Sequence, residues 1–183
     1  MTTSGTATDT EELRARLTDG SLAGHWRLET ARSTVGLRSK SMWGLAPVKG
    51  SFPEFSGEGT ITPAGEATGT LTVRADSIDT KNRKRDEHLR SADFFDSANH
   101  PDIVFTAHHV TLSGVNVTVH GTLRVRDTER PVTFDTAVTV TAAEIHLDAQ
   151  VPVDRSDFGM TWNQLGMASM KNVIAIHAVF VRA

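Results

Sequence analysis

His88, Asp154 and Asp157 are the residues of this 183-residue chain whose types could move protons, an imidazole and two carboxylates able to act as acid and base on a bound substrate. They would make an enzyme only if the fold gathered them. The fingerprints that accompany such chemistry are absent: there is no His-Glu-x-x-His, no Gly-x-Ser-x-Gly and no Walker-type lysine loop. Gly57-Glu58-Gly59 does not continue into a dinucleotide motif. The eight histidines are the other chemically capable group, because neutral imidazole is the commonest metal ligand. Adjacent His108 and His109 should point to opposite faces of a strand, and His120 and His146 take the outward parity of theirs, which suits surface residues better than a ligand set. The absence of cysteine excludes disulfides, thiolate zinc sites and cysteine nucleophiles. The sequence therefore assigns no catalytic residue, no metal and no cofactor.

The run Lys81 to Arg85 carries four basic residues, followed by Asp86 and Glu87. It could attract a phosphate or an acidic head group, but alternating charge of this kind reads as a solvated helix or loop. Over the whole chain 19 Lys and Arg face 22 Asp and Glu, a formal charge of -3, so no overall field draws the protein to nucleic acid. A chain of this size buries roughly 70% of the surface its unfolded form exposes, enough for one domain with a core or a core enclosing a cavity.

Hydrophobic period two, the strand signature, dominates the elements that must position these residues. Val115, Val117, Val119, Leu123 and Val125 share one parity against Asn116, Thr118, His120, Arg124 and Arg126. Ile145, Leu147, Ala149, Val151 and Val153 form a second such set, and Val132, Phe134, Val138 and Val140 a third. Strands with one dry and one wet face belong to antiparallel sheets. Turn signals at Pro63-Ala64-Gly65, Ser113-Gly114 and Ala142-Ala143 fit hairpins between sequential neighbours. About eight strands are predicted, starting near Trp26, Lys49, Glu66, Asp102, Val115, Pro131, Glu144 and Val173. In sequential order they favour an all-β, eight-stranded antiparallel up-and-down barrel, since closure removes sheet edges; a two-sheet sandwich is the alternative. Runs of about ten to twelve residues at ~3.3 Å each make that barrel elongated. Gly121, at an inward parity, marks a bend or interior space.

Before the strands, Met1 to Asp9 is small and polar and is expected to be disordered. Thr8 and Glu11 can form a capping box for a helix over Thr10 to Asp19, with Gly20 ending it, and that helix is expected to pack on one end of the barrel. The division is thus an N-terminal extension over 1–22 and a barrel domain over 23–183. No apolar central region of a secretory signal precedes Trp26, which predicts a cytoplasmic location, or a chain already mature. The most apolar run, Val173 to Val181, is about half of the ~20 residues a membrane helix needs.

One crossover between strands concentrates unusual residues: Ser77-Ile78-Asp79-Thr80, then Arg85, Asp86, His88, Leu89, Arg90, Ser91, Asp93, Phe94, Phe95 and Asp96, with Pro101 and Ile103 opening the next strand. With Asp154 to Met160 (DRSDFGM) and the terminal strand Asn172 to Val181, this resembles the YceI-like family, lipid-binding proteins of the lipocalin-like β-barrel class, from about Trp26 onward. One departure is plain: where the family carries an early His-Ser pair and a second His about eight residues on, this chain has Arg32-Ser33 and Ser41.

The resemblance implies binding, storage or transport of an isoprenoid lipid, a polyprenyl chain or an isoprenoid quinone, without catalysis and without a further cofactor. It also implies a homodimer, for which Val179 and Val181 on the outward parity of the last strand offer a surface. No nucleic-acid partner and no transmembrane segment are expected, only a transient membrane contact. Size and inferred facing nominate Trp43, Phe94, Phe95, Phe105, Leu123, Phe134, Met160, Trp162 and Phe180 as ligand-binding residues. The methionines of the Phe158 to Met170 loop suit a lipid entrance, a subunit contact or core filling. Two other function classes stay open: an enzyme acting on a bound apolar substrate, and a protein-interaction barrel with a filled core.

Overall fold

The alternating segments fold as ten strands among the described residues, 7–114 and 116–183 of a computed structural model. They are β1 (Gly24–Leu28), β2 (Thr34–Ser41), β3 (Ala46–Ser51), β4 (Phe55–Ile61), β5 (Ala67–Arg74), β6 (Asp102–Ser113), β7 (Asn116–Val125), β8 (Thr128–Val140), β9 (Glu144–Asp154) and β10 (Lys171–Arg182). Two helices accompany them, α1 (Thr10–Thr18) and α2 (Arg83–Arg90). Val115 and residues 1–6 of the stretch expected to be disordered lie outside the described residues.

Ten strands fill eight positions around a closed antiparallel barrel, because two positions hold interrupted strands. β10 pairs with β1 from Trp26↔Arg182 to Leu28↔Phe180, then with β2 from Thr34↔His177 to Arg38↔Val173. β4 runs against β1 and β3 against β2, with a break at Phe52-Pro53-Glu54 where proline has no N–H to offer a ladder. From β4 to β10 each strand pairs with the next, and β1 closes on β10. Closure does not remove every edge: β3 pairs only with β2 on one side, and the single bridge Ser51↔Asp79 ties its other side to the crossover.

The break between β1 and β2 also changes the fate of Val179. Residues Thr30–Arg32 form a 3₁₀ turn that lies over β10; Glu29 N–H donates to Val179 O (2.7 Å), and Val179 N–H donates to Ser33 Oγ (2.9 Å). Val179 is 1% exposed. Its outward parity therefore offers no subunit surface, since the chain itself covers it. Arg32, at the departure from the family's early His-Ser pair, faces out and holds Glu144 with two hydrogen bonds (2.6 and 3.1 Å).

The barrel interior is divided along its length. At the end where β6, β8 and β10 finish, Trp26, Ile61, Val117, Val138 and Val140 form a packed core with Leu13 of α1 and Leu22. Asp9, rather than Thr8, caps α1, its carboxylate accepting from Glu11 N–H (2.9 Å). Thr8 instead binds β8, donating to Val138 O (2.7 Å) and accepting from Val140 N–H (2.8 Å). Residues 8–22 are thus built into the barrel as its plug.

Gly121 sits where the packed and open halves meet. A Cβ there would lie 2.3 Å from Thr106 O and under 3 Å from the Phe105 ring, so the missing side chain is what lets that ring lie flat on β7. Opposite it, the β6–β7 register shifts between Ala107 and His109. That bulge overturns the alternation expected for His108 and His109: both are exposed, and His109 stacks on His120 (4.4 Å, 7°). Among the described residues no group of three or more metal-ligating side chains occurs, and no helix is long and apolar enough to cross a membrane.

Candidate functional site

The half of the barrel away from α1 is hollow. Its inward residues, among them Val35 and Leu37 of β2, Leu71 and Val73 of β5, Val151 and Val153 of β9, and Ile174 and Ile176 of β10, surround a cavity of about 550 Å³. The period-two pattern produces this lining directly, because successive inward positions carry branched or aromatic side chains and the outward ones Thr, Arg, Asp and Gln.

Two covers narrow the cavity without sealing it, since exposed Lys40, Asn82 and Lys84 are among its lining residues, and the unusual residues of the sequence build both. The first is the crossover carrying α2. Thr80 donates through N–H and Oγ1 to Asp86 Oδ1 (2.9 and 2.6 Å), and Arg85 donates to Thr80 Oγ1 and O (2.8 and 2.9 Å). Arg90 binds the carbonyls of Asp76 and Ile78 (2.7 and 2.9 Å). Asp86 and Thr80 are both buried, so removing the Thr80 hydroxyl would take one of the two donors from the Asp86 carboxylate. The basic run thus splits: Lys81 and Arg83 make exposed ion pairs with Asp79 and Glu87, Arg85 is a bracket, and Lys84 lines the cavity. The reading of the run as a solvated face holds for only part of it.

The second cover is the loop between β9 and β10. Arg155 is 6% exposed and donates to four carbonyls: Ser169 (3.0 Å), Met160 (2.6 Å), Trp162 (2.8 Å) and Ala168 (3.3 Å). Burial lowers its affinity for the proton, and the nearby Asp154 charge opposes this. Asp154 itself caps the turn, accepting from Ser156 N–H (2.9 Å) and Oγ (2.5 Å), and those bonds hold its carboxyl below the ordinary range. A carboxylate so engaged is a poor base at neutral pH.

Seven of the nine nominated residues line the cavity: Phe94, Phe95, Phe105, Leu123, Phe134, Met160 and Trp162. Phe180 does not, because it lies farther along β10 against the plug-end core, and Trp43 does not, because it stands 66% exposed on the turn between β2 and β3. His88 lines the cavity edge-on to Trp162 (4.3 Å) and Phe94 (5.1 Å), its Nε2 2.9 Å from Asp93 Oδ2. Asp154 and Asp157 lie outside the lining, so the acid–base trio is not assembled there. Sequence reasoning passed over Phe52, Phe158 and Arg155, all at the cavity. Arg155 had a signal, since it sits between two acids in DRSDFGM, but Phe52 falls in a strand break and had none.

The polar lining is one-sided: it includes Lys40, Lys84, Arg85 and Arg155, and among the described residues no Asp or Glu. Fold and site together define a hollow antiparallel β-barrel whose apolar chamber opens beside basic groups. The chain belongs to the YceI-like family, whose domain model matches residues 26–181. It is 34% identical over 95 residues to protein YceI of Escherichia coli, half of this chain, and the chain spans about half the length of that relative. A UPF0312 protein of Yersinia enterocolitica is 28% identical over 148 residues, 76% of this chain and 77% of its own. Among solved structures, Burkholderia cenocepacia BcnA superimposes with a TM-score of 0.76 at 23% identity, over 83% of this chain and 98% of that one. A Saccharophagus degradans domain described as polyisoprenoid binding gives 0.70 at 16% identity, over 86% and 98%. The Campylobacter jejuni YceI protein gives 0.62 at 26%, over 72% and 84%.

Proposed function

We propose that the chain binds an isoprenoid lipid, a polyprenyl chain or an isoprenoid quinone, in the hollow half of the barrel and carries or stores it without chemistry. The observation that bears the weight is the cavity of about 550 Å³ with branched and aromatic walls and no carboxylate among its described lining residues. That volume lies in the range of small-molecule sites, and walls of this kind select an apolar tail. Burying apolar carbon is worth about 0.8 kcal/mol per methylene, so each isoprene unit contributes roughly 3 to 4 kcal/mol. Association costs about 4 to 15 kcal/mol, which a few units offset. The description of the Saccharophagus degradans domain as polyisoprenoid binding supports the same ligand class.

Mass spectrometry of an organic extract of the purified protein, against a mock purification, tests the reading. A stoichiometric polyprenyl or quinone species is expected. An empty extract, followed by failure to take up added isoprenoids, would remove the carrier function and leave the barrel.

A further inference from the structure

Two turns stand beside the cavity, and both expose apolar side chains. The first, between β2 and β3, carries Met42 (49% exposed), Trp43 (66%) and Leu45 (82%); the second, in the β9–β10 loop, carries Leu165 (78%). These are the exposed large apolar residues among those described, and they occupy one place on the molecule. Trp43 Nε1 donates to Leu165 O (3.2 Å), Trp43 N–H to Met167 O (3.3 Å), and Ser169 N–H to Lys40 O (2.9 Å), so the turns form one ledge. Lys40, Ser41, Ala168 and Ser169, at the feet of the turns, line the cavity.

The backbone is strained at the tips. Met42, Trp43 and Leu165 have φ of 51°, 54° and 55°, the left-handed region that bulky L-residues avoid. A fold that holds large apolar side chains in that conformation, exposed and outside both the packed core and the chamber lining, meets neither packing nor local preference. The charged residues that line the cavity are of one sign. Among them Lys40 and Lys84 are exposed and make no ion pair among the described residues.

We propose that this ledge docks on an anionic phospholipid bilayer, with Trp43, Leu45 and Leu165 entering the interface and Lys40 and Lys84 meeting the head groups. Indole and branched aliphatic side chains favour that depth, and nearby lysines add electrostatic attraction to anionic lipid. A bilayer fits better than a protein partner or a second copy because the ledge borders the opening of an apolar chamber. Docked there, the chamber meets lipid without passing through water.

Flotation of the full chain with vesicles of phosphatidylcholine, and of phosphatidylcholine mixed with phosphatidylglycerol, tests this. The wild type is expected to float with the mixed vesicles. Leu45→Ser/Leu165→Ser, whose changed side chains touch solvent, is expected to keep the wild-type melting transition and lose at least tenfold in partitioning. Lys40→Gln/Lys84→Gln is expected to lose the preference for the mixed vesicles by roughly ten- to thirtyfold, about 1 kcal/mol per lysine at a charged surface. Failure to float with either vesicle, or undiminished flotation of the serine variant, overturns the proposal. So does a dimer in sedimentation that the serine changes abolish while no vesicle binding is seen, which would assign the ledge to a second copy. Because flotation is read without ligand, its failure leaves the lipid-binding reading standing, and an empty extract leaves docking standing.

Discussion

The guanidinium of Arg155 lies 5.2 Å from the centroid of the Phe94 ring. Phe94 belongs to the α2 crossover and Arg155 to the β9–β10 loop, so this contact joins the two covers of the chamber. Trp162, whose carbonyl Arg155 also holds, rests against Phe94 with ring centroids 5.6 Å apart.

Replacing Arg155 should therefore loosen a whole cover rather than one contact. Arg155→Met removes four bonds to carbonyls and leaves those carbonyls without their donor. A loss of about 3 kcal/mol in chemical denaturation is expected, with Trp162 emission shifting to the red as the loop opens. Arg155→Lys should recover only part, because an ammonium cannot fork to four carbonyls. Full rescue by lysine would show that charge, not geometry, is what the loop needs.

Filling the chamber should separate ligand binding from folding. Val132→Trp adds volume inside the cavity and disturbs no hydrogen bond beyond the ladder. Stability is expected to stay within about 1.5 kcal/mol of wild type, since the extra atoms enter empty space rather than a packed core. Bound lipid per protein, by mass spectrometry of the extract, should fall at least tenfold. Unchanged occupancy would place the ligand elsewhere.

Gly121→Ala probes the boundary between the halves. The added methyl meets a backbone oxygen and the Phe105 ring at distances no real Cβ tolerates, and the oxygen is part of the β6–β7 ladder. Overpacking of this kind costs about 1 to 3 kcal/mol. Pairing it with Phe105→Leu should return part of the loss, since the ring edge is removed but the oxygen remains. A neutral single substitution would mean that β6 and β7 are not so closely apposed.

Glu144 supplies a pH dependence. Hydrogen bonds from Arg32 and then from His146 lower its pKa from 4.5 to about 2. A carboxyl with a depressed folded-state pKa contributes stability above its unfolded value, and the contribution is lost as pH falls toward the folded one. Wild type and Glu144→Gln should differ most in melting temperature above about pH 5 and converge as pH approaches 2. A gap that stays constant across that window would detach the Arg32 pairing from stability.

Strand identity was legible because burial acts on alternate residues. In β7, Val117, Val119, Leu123 and Val125 are buried while Asn116 and Arg124 are exposed. Parity says which way a residue points and not how far along the barrel it lies, which is why Phe180 could not be told from Ile174 and Ile176 on the same inward row. Breaks were illegible for a related reason. The turn at Thr30–Arg32 is too short to interrupt a pattern, yet it buries Val179 from the outside. Size does not imply burial for Trp43, whose exposed position follows from its hydrogen bonds to the carbonyls of Leu165 and Met167.

The unpaired side of β3 gives the crossover a second task. A strand whose outer N–H and C=O groups find no partner is a template for another chain, and repetition of that pairing leads to aggregates. Here Ser51 bridges Asp79 (2.9 Å in both directions), and Ile78 and Thr80 lie within reach of Gly50. The brackets at Asp86, Arg85 and Arg90 thereby hold a shield over the seam as well as a roof over the chamber. Loosening them should appear first as self-association of folded protein, before any loss of the barrel itself.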